Sequence, residues 1–391
     1  MSQVIIAGAG MSRFSRIPGT GLRSLATTVA HDALRDAGLT ALDVDRIYFG
    51  NAAGATVTRQ DMVRGQVAFR HDPLVAAPII NIENACASGG SAVLLAVEAV
   101  ASGAADVVLA IGAEQLSHAD RARSTQALRG SMDIEEIGEE DPGTAGPGQS
   151  ALMACYAAEG QAYMDEWGAE RSDFARVAVK NRRHAGLNPR AQFSAPLTVD
   201  EVVDARMIAA PLSLTMCSPL TDGAAAMVVV SAEFARRRGL GGVRVLASHV
   251  APGRGAGSEP LGDAARKAYA SAALGPKDMD LLEVHDAAAP AELIQYEELG
   301  LCAPGEAIRL IRDGATDLGA ERPVNVSGGL MSRGHPLGAT GCAQLFEIYE
   351  HLRGRAGARQ VDGARLGMAA NAGGWVGGTY AVGVVTILGA M

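Results

Sequence analysis

Aromatic residues make up only 4% of the 391-residue chain, with two tryptophans among them, so an aromatic-rich binding surface is excluded. Basic residues are also outnumbered. The 34 Lys and Arg against 43 Asp and Glu leave a net charge of −9, where a nucleic-acid binder shows a basic footprint. Five cysteines stand at 86, 155, 217, 302 and 342 with no CxxC pair. That odd, sparse set reads as reduced intracellular thiols, not as a disulfide framework or a zinc site, and no metal is expected. Met1 to Phe14 lacks a basic stretch followed by a long apolar one, so no signal peptide is expected. Residues 85–112 are apolar on average, but Glu98, Asp106 and several glycines interrupt them, and Tyr380 to Leu388 is too short to span a bilayer. The expectation is a soluble, cytoplasmic protein with no membrane span and no nucleic-acid partner.

What the chain does have is small apolar residues. Hydrophobic residues reach 48%, drawn mainly from Ala, Val and Leu, and 48 glycines accompany them. Such a composition suits closely stacked helices and strands, and the length allows two packed domains or one duplicated one.

Val4-Ile5-Ile6-Ala7 reads as a first buried strand, Leu22 to Ala37 as a helix stopping at Gly38, and Ile47-Tyr48-Phe49 as the next strand. Residues 87–101 are apolar nearly all round, which marks a fully buried helix. It runs into Val107 to Ile111, a continuous apolar run typical of a strand covered on both faces. Alternating strands and helices imply an α/β protein with layered sheets. From His118 to Val199 the text turns irregular and charged, as in the acidic run Asp133 to Pro142, and reads as an inserted loop domain with helices near 150–167 and 172–184. Regular text resumes at Asp222 to Val230. The chain then repeats itself: Val243 to Ala247 opens like the first strand, Leu281 to Val284 resembles the strand at Ile47, and Gly334 to Ala343 starts a helix as Cys86 to Ala92 does.

Cys86, in Asn84-Ala85-Cys86-Ala87-Ser88-Gly89, precedes the buried helix, where the positive end of the helix dipole favours thiolate and the small residues admit a substrate. His335, in Gly334-His335-Pro336-Leu337-Gly338, is a base able to take the thiol proton and return it. His285-Asp286 follows a buried strand, at the end where α/β proteins build their sites, and His285 can donate to a developing oxyanion. The turn from Asn371 to Gly378 can supply backbone donors, Gly373 among them. Each of these residues has a bland alternative: a core thiol, a loop histidine, a helix cap at Asp286, a plain hairpin. Gly8-Ala9-Gly10 lacks a third glycine at Arg13, which rejects a nicotinamide enzyme.

Together the four segments resemble the thiolase superfamily along essentially the whole chain, with Gly112-Ala113-Glu114-Gln115-Leu116-Ser117 and Ser218 to Ala226 adding to the likeness. The resemblance implies a layered α/β/α/β/α fold of two similar halves, 1–117 with 201–240 and 241–391, and a coenzyme A-binding loop domain at 118–200. It implies an acyl-CoA acyltransferase of the acetyl-CoA acetyltransferase or 3-ketoacyl-CoA thiolase type, working through S-acyl-Cys86. His335 would activate the thiol, His285 would polarise a thioester oxygen, and Asn371 and the backbone of Gly373 would border the oxyanion site. No covalently bound cofactor is expected, with the coenzyme A thioester as substrate. Lys180, Arg182 and Arg183, in a basic island, would meet the coenzyme A phosphates. His285-Asp286 in place of Asn-Glu is similar to the sterol-carrier-protein-2-type thiolases. The second, proton-moving cysteine of such enzymes is missing: Asn371 and Ala287 stand at its two usual places. That departure keeps open a retro-aldolase, or an acyltransferase subunit needing a small acyl-CoA-binding partner protein. A non-catalytic lipid or acyl-CoA carrier is the alternative of another class. The family also implies a homodimer or homotetramer.

Overall fold

The computed structural model describes residues 3–17, 19–137 and 150–391, so part of the acidic run, residues 138–142, lies outside the described residues. The first half contributes strands β1 (Val4–Met11), β2 (Arg46–Gly50), β3 (Ile79–Ile82), β4 (Val107–Glu114) and β5 (Gly223–Ser231). The second contributes β6 (Val243–Pro252), β7 (Leu281–Glu283), β8 (Leu366–Gly373) and β9 (Val382–Ala390). Seven helices matter for the site: α1 (Leu22–Ala37), α2 (Ser88–Ala101), α3 (Ala151–Trp167), α4 (Arg171–Ala185), α5 (Pro260–Ala272), α6 (Ala289–Glu298) and α7 (Thr340–Leu352).

The repeat that the sequence suggested is a topological one. In the first half β3 and β4 flank β2 in parallel, then β5 and β1 follow antiparallel. In the second half Val324 bridges β7 in parallel and β8 pairs β7 in parallel, then β9 and β6 follow antiparallel. The order is the same element for element. An antiparallel pairing of β1 with β6 (Val4 with Val245, Ile6 with Val243) joins the halves into one nine-stranded sheet.

Layering follows from which faces are apolar. β1, β4 and β5 are buried at every residue, because helices cover both of their faces. α1 lies outside the first half and α5 outside the second. α2 and α7 pack against each other in the middle and touch strands of both halves, giving the α/β/α/β/α order. Glycine makes that central contact possible. A Cβ on Gly341 would fall 2.3 Å from the Gly90 nitrogen and 2.3 Å from Asn371 Oδ1. The crossing therefore brings the N-termini of both helices to one point, and that point is the site. No helix among the described residues is long and apolar enough to cross a membrane.

Candidate active site

Cys86 sits two residues before α2 on a clamped loop. Ser88 Oγ accepts from the Asn84 nitrogen at 2.9 Å and donates to the Ala85 carbonyl at 2.7 Å, and Asn84 Nδ2 donates to Ser91 Oγ at 2.9 Å. Ala85 is held at φ 47°, a left-handed conformation that costs a residue with a Cβ about 1–2 kcal/mol. Gly373, at the end of β8, presses against the same loop. A Cβ there would come within 2.2 Å of the Asn84 carbonyl oxygen.

The structure brings the three expected side chains together. Cys86 Sγ and one ring nitrogen each of His285 and His335 lie within 4.8 Å of one another, all buried. The two imidazoles meet edge to face, ring centres 5.2 Å apart. Cys86 and His335 open on a cavity of about 230 Å³ whose walls include Leu116, Tyr156, Cys217, Leu220 and Ala287. Ala287 faces that space as a methyl group and carries no proton to exchange.

The hydrogen bonds fix which nitrogen of each histidine carries its proton. Thr340 has one hydroxyl proton and donates it to the Pro336 carbonyl at 3.0 Å. It therefore accepts from His335 Nδ1–H at 2.7 Å, which leaves Nε2 of His335 as a lone-pair base. For His285 the anchor is Asn371. The Cys86 carbonyl can only accept, so the amide nitrogen of Asn371 must face it, at 3.1 Å. That same nitrogen lies 3.3 Å from His285 Nδ1, which must accept in turn, so the His285 proton is on Nε2. One histidine is thus set as a base and the other as a donor. The assignment also tests a cation at this cluster. A metal on Nε2 of His285 would drive the proton to Nδ1, against the Asn371 amino group, so the arrangement suits an acyl group instead.

Burial sets the resting charges. It pushes the Cys86 thiol up to about 12, helped by the Glu114 and Glu83 carboxylates. Burial likewise pulls His285 down to about 3, aided by the Arg333 guanidinium, and pulls His335 well below its ordinary range, aided by His285 and Arg333. The sequence argument that the helix end favours thiolate is therefore corrected: a dipole worth about 0.3–1 kcal/mol loses to desolvation, and the pair rests as thiol and neutral imidazole.

Several positioning groups carried no sequence signal for their roles. Glu114 accepts from the backbone of Ala52, Ala53 and Gly338, tying the end of β4 to the His335 loop. Asp286 is no helix cap; buried, it accepts from Leu330 N, Met331 N and Asn181 Nδ2. Gln295 holds the His285 backbone by both its nitrogen and its carbonyl. Cys342 is packing, its thiol turned to the Gly89 carbonyl.

The basic island needs correction. Lys180 is buried, paired with Glu292 and bonded to the Val324 carbonyl at 2.9 Å, so it fastens α4 to the second half and cannot reach a phosphate in solvent. Arg182 donates to Ser332 Oγ at 3.0 Å and stacks over Phe193, and Arg183 pairs with Asp317 at 2.7 Å. Among the described residues, none of the three lines the Cys86 cavity.

Comparison with known proteins covers the whole chain. The family model described as thiolase, N-terminal domain, matches residues 4–233, and that described as thiolase C-terminal domain-like matches residues 224–390. An acetyl-CoA acetyltransferase of Methanothermobacter thermautotrophicus is 39% identical, with 98% of this chain and 99% of that one covered. Sterol carrier protein 2 of Bos taurus is 34% identical over 97% of this chain and 72% of its own. A solved Ltp2-ChsH2(DUF35) aldolase superposes with a TM-score of 0.80 at 27% identity, covering 99% of this chain and 98% of that one.

Proposed function

The chain belongs to the thiolase family, and from that membership and the geometry of its site we propose that Cys86, His335 and His285 transfer acyl groups from coenzyme A thioesters. It is an acyl-CoA acyltransferase, as its acetyltransferase relative is named. The observation that carries the residue roles is the convergence of one thiol and two imidazoles, with opposite proton assignments, within 4.8 Å of one another, the thiol and His335 opening on one cavity.

In the first half-reaction His335 Nε2 takes the Cys86 proton as Sγ attacks the thioester carbonyl. Proton removal and attack are coupled, because a free thiolate is costly in this pocket. In this proposal the His285 Nε2–H and the backbone N–H groups of Cys86 and Gly373 are the donors to the oxyanion. The tetrahedral centre collapses, the coenzyme A sulfur leaves, and His335 returns the proton to it. S-acyl-Cys86 then passes its acyl group to the second substrate. The cavity at Cys86 is walled mainly by apolar side chains, which suits an acyl chain. Arg182 and Arg183 are kept as candidates for the coenzyme A phosphates, reached from outside the cavity.

Two coarser attributes belong to the same proposal. Five unpaired cysteines suit a reducing compartment, hence the cytoplasm. The exposed edge strand β3, with Ile80 turned outward, suits pairing with a second copy in a homodimer. A second reading, that a small acyl-CoA-binding protein completes the enzyme, is favoured by Ala287 facing the cavity and by the two-protein aldolase among its structural neighbours.

Initial rates of thiolysis with 3-ketoacyl-CoA and coenzyme A varied together test the proposal. Parallel double-reciprocal lines, lost in Cys86→Ala, are the expected outcome. Intersecting lines, or activity surviving in Cys86→Ala, would contradict a covalent intermediate on this residue.

A further inference from the structure

Carbon–carbon chemistry at the second acyl group needs an acid and base for its α-carbon, and neither Ala287 nor Asn371 exchanges a proton at neutral pH. Two tyrosines stand in the right place. Tyr156, on α3, is buried and forms part of the cavity wall beside Cys86. Its ring lies 6.2 Å from that of Tyr380 in a tilted contact, and burial lifts both phenols well above their ordinary range, so each rests as a protonated donor. Trp375 braces both, at 5.3 Å from each ring. Tyr380 in turn meets His285 edge to face at 6.1 Å.

On its other side Tyr380 lines a second cavity, of about 320 Å³, that the acyl-transfer steps do not use. Its walls carry Glu159 from α3 and Glu297 and Glu298 from α6, with Glu259 at the rim. Glu297 is engaged by the Tyr163 hydroxyl and the Gly305 nitrogen, and Glu259 pairs with Arg266 at 3.4 Å. Glu159 and Glu298 differ: one oxygen of each, Oε2, is buried with no hydrogen-bond partner. Such groups hold their protons to a higher pH than an exposed carboxyl does. Burial raises Glu159 to about 7, and burial with the neighbouring Glu159 and Glu259 raises Glu298 to about 8, against the opposing charge of Arg266. Cys155, one residue from Tyr156, is itself held as a neutral thiol.

We propose that Tyr156 and Tyr380 form a proton relay between this acidic cavity and the acyl site, with Tyr156 as the catalytic acid and base at the second substrate's α-carbon. The proposal rests on the acyl-transfer reading above. In the cleavage direction the Cys86 proton passes to His335 Nε2 as Sγ bonds the β-carbonyl carbon, the α–β bond breaks, and the α-carbon takes the Tyr156 proton. His335 returns its proton to Cys86 Sγ when coenzyme A, its own thiol proton lost to solvent, takes the acyl group. Tyr380 reprotonates Tyr156, a carboxylic acid reprotonates Tyr380, and solvent in the acidic cavity refills the carboxylate. Only protons move, and nothing is oxidised. Condensation runs the same transfers backward. Tyr156 is the group that meets substrate; Tyr380, Glu159 and Glu298 act through it.

The test is exchange of the acetyl-CoA α-protons in deuterated water, read by mass spectrometry beside S-acylation of Cys86. Relative to each variant's own rate of Cys86 acylation, Tyr156→Phe should slow exchange about 10²- to 10⁴-fold and Tyr380→Phe at least about tenfold. Glu159→Gln and Glu298→Gln should fold normally and remove the limb between about pH 7 and 8 from the exchange profile. Exchange that survives both phenylalanine variants with its limb intact overturns the relay. So does loss of exchange in Cys217→Ser instead, since Cys217 is the other thiol on the cavity wall. If wild-type Cys86 accepts no acyl group, the acyl-transfer reading falls, and the relay falls with it.

Discussion

Alkylation of Cys86 across pH separates a buried neutral thiol from a preformed thiolate. Burial lifts the thiol from its ordinary 9.0 to about 12, a rise of three units. At about 1.36 kcal/mol per unit, that is roughly 4 kcal/mol against the thiolate. The dipole of α2 returns about 0.3–1 kcal/mol, and at most about 2 in favourable geometry, so it reduces the penalty without reversing it. Nor does His335 supply a stabilising positive charge, because burial and Arg333 keep it neutral. At pH 7 about one Cys86 in 10⁵ is ionised, against about one in 100 for a thiol at its ordinary 9.0. Iodoacetamide labelling of the free chain, corrected with Cys86→Ala for the other four cysteines, should therefore be slow. Its rate should climb about tenfold per pH unit from 6 to 10 with no plateau. A plateau between pH 6 and 8, reporting a thiolate–imidazolium pair, would refute the reasoning that desolvation dominates here.

Other consequences concern single contacts. Thr340→Val removes the acceptor that holds His335 Nδ1–H, so acyl transfer to Cys86 should slow about 10²-fold with little change in acyl-CoA affinity, followed by stopped-flow release of coenzyme A. An unchanged rate would mean that Thr340 does not set the base. Asn371→Asp puts a carboxylate where Nδ2 faces the Cys86 carbonyl and draws the His285 proton to Nδ1; nitrogen NMR should show the tautomer switch, and turnover should fall about 10²- to 10³-fold. Lys180→Met strands Glu292 without its buried cation and should cost about 3–5 kcal/mol in urea denaturation. Any folded Lys180→Met should keep the wild-type KM for acyl-CoA, whereas a phosphate contact at Lys180 would raise it.

What could be read from the sequence was what lies close along it. Cys86 before a nearly all-apolar helix, His335 between glycines and His285 after a buried strand are local patterns, and the fold brings all three together. The repeat was legible for the same reason, since apolar runs and helix starts recur in order. What stayed hidden is carried by contacts between distant segments. Asn371 meets the Cys86 carbonyl across 285 positions, and no spacing rule links them. Lys180 sits in a basic island that reads as a site for coenzyme A phosphates, yet Glu292, 112 residues later, draws it inside. The thiol's resting state was misjudged because a helix end is visible in sequence while the desolvation of its surroundings is not. Tyr156 and Tyr380 carried no motif at all; only the two cavities on either side of them give them a role.

Intact-mass spectrometry of the chain after brief exposure to acetyl-CoA tests the claim that Cys86 is the acyl acceptor. One added acetyl group per chain, mapped to the peptide holding Cys86, discharged by coenzyme A and absent from Cys86→Ala, is the result expected. No adduct on Cys86 with any acyl-CoA tested, or an adduct that persists in Cys86→Ala, would contradict it.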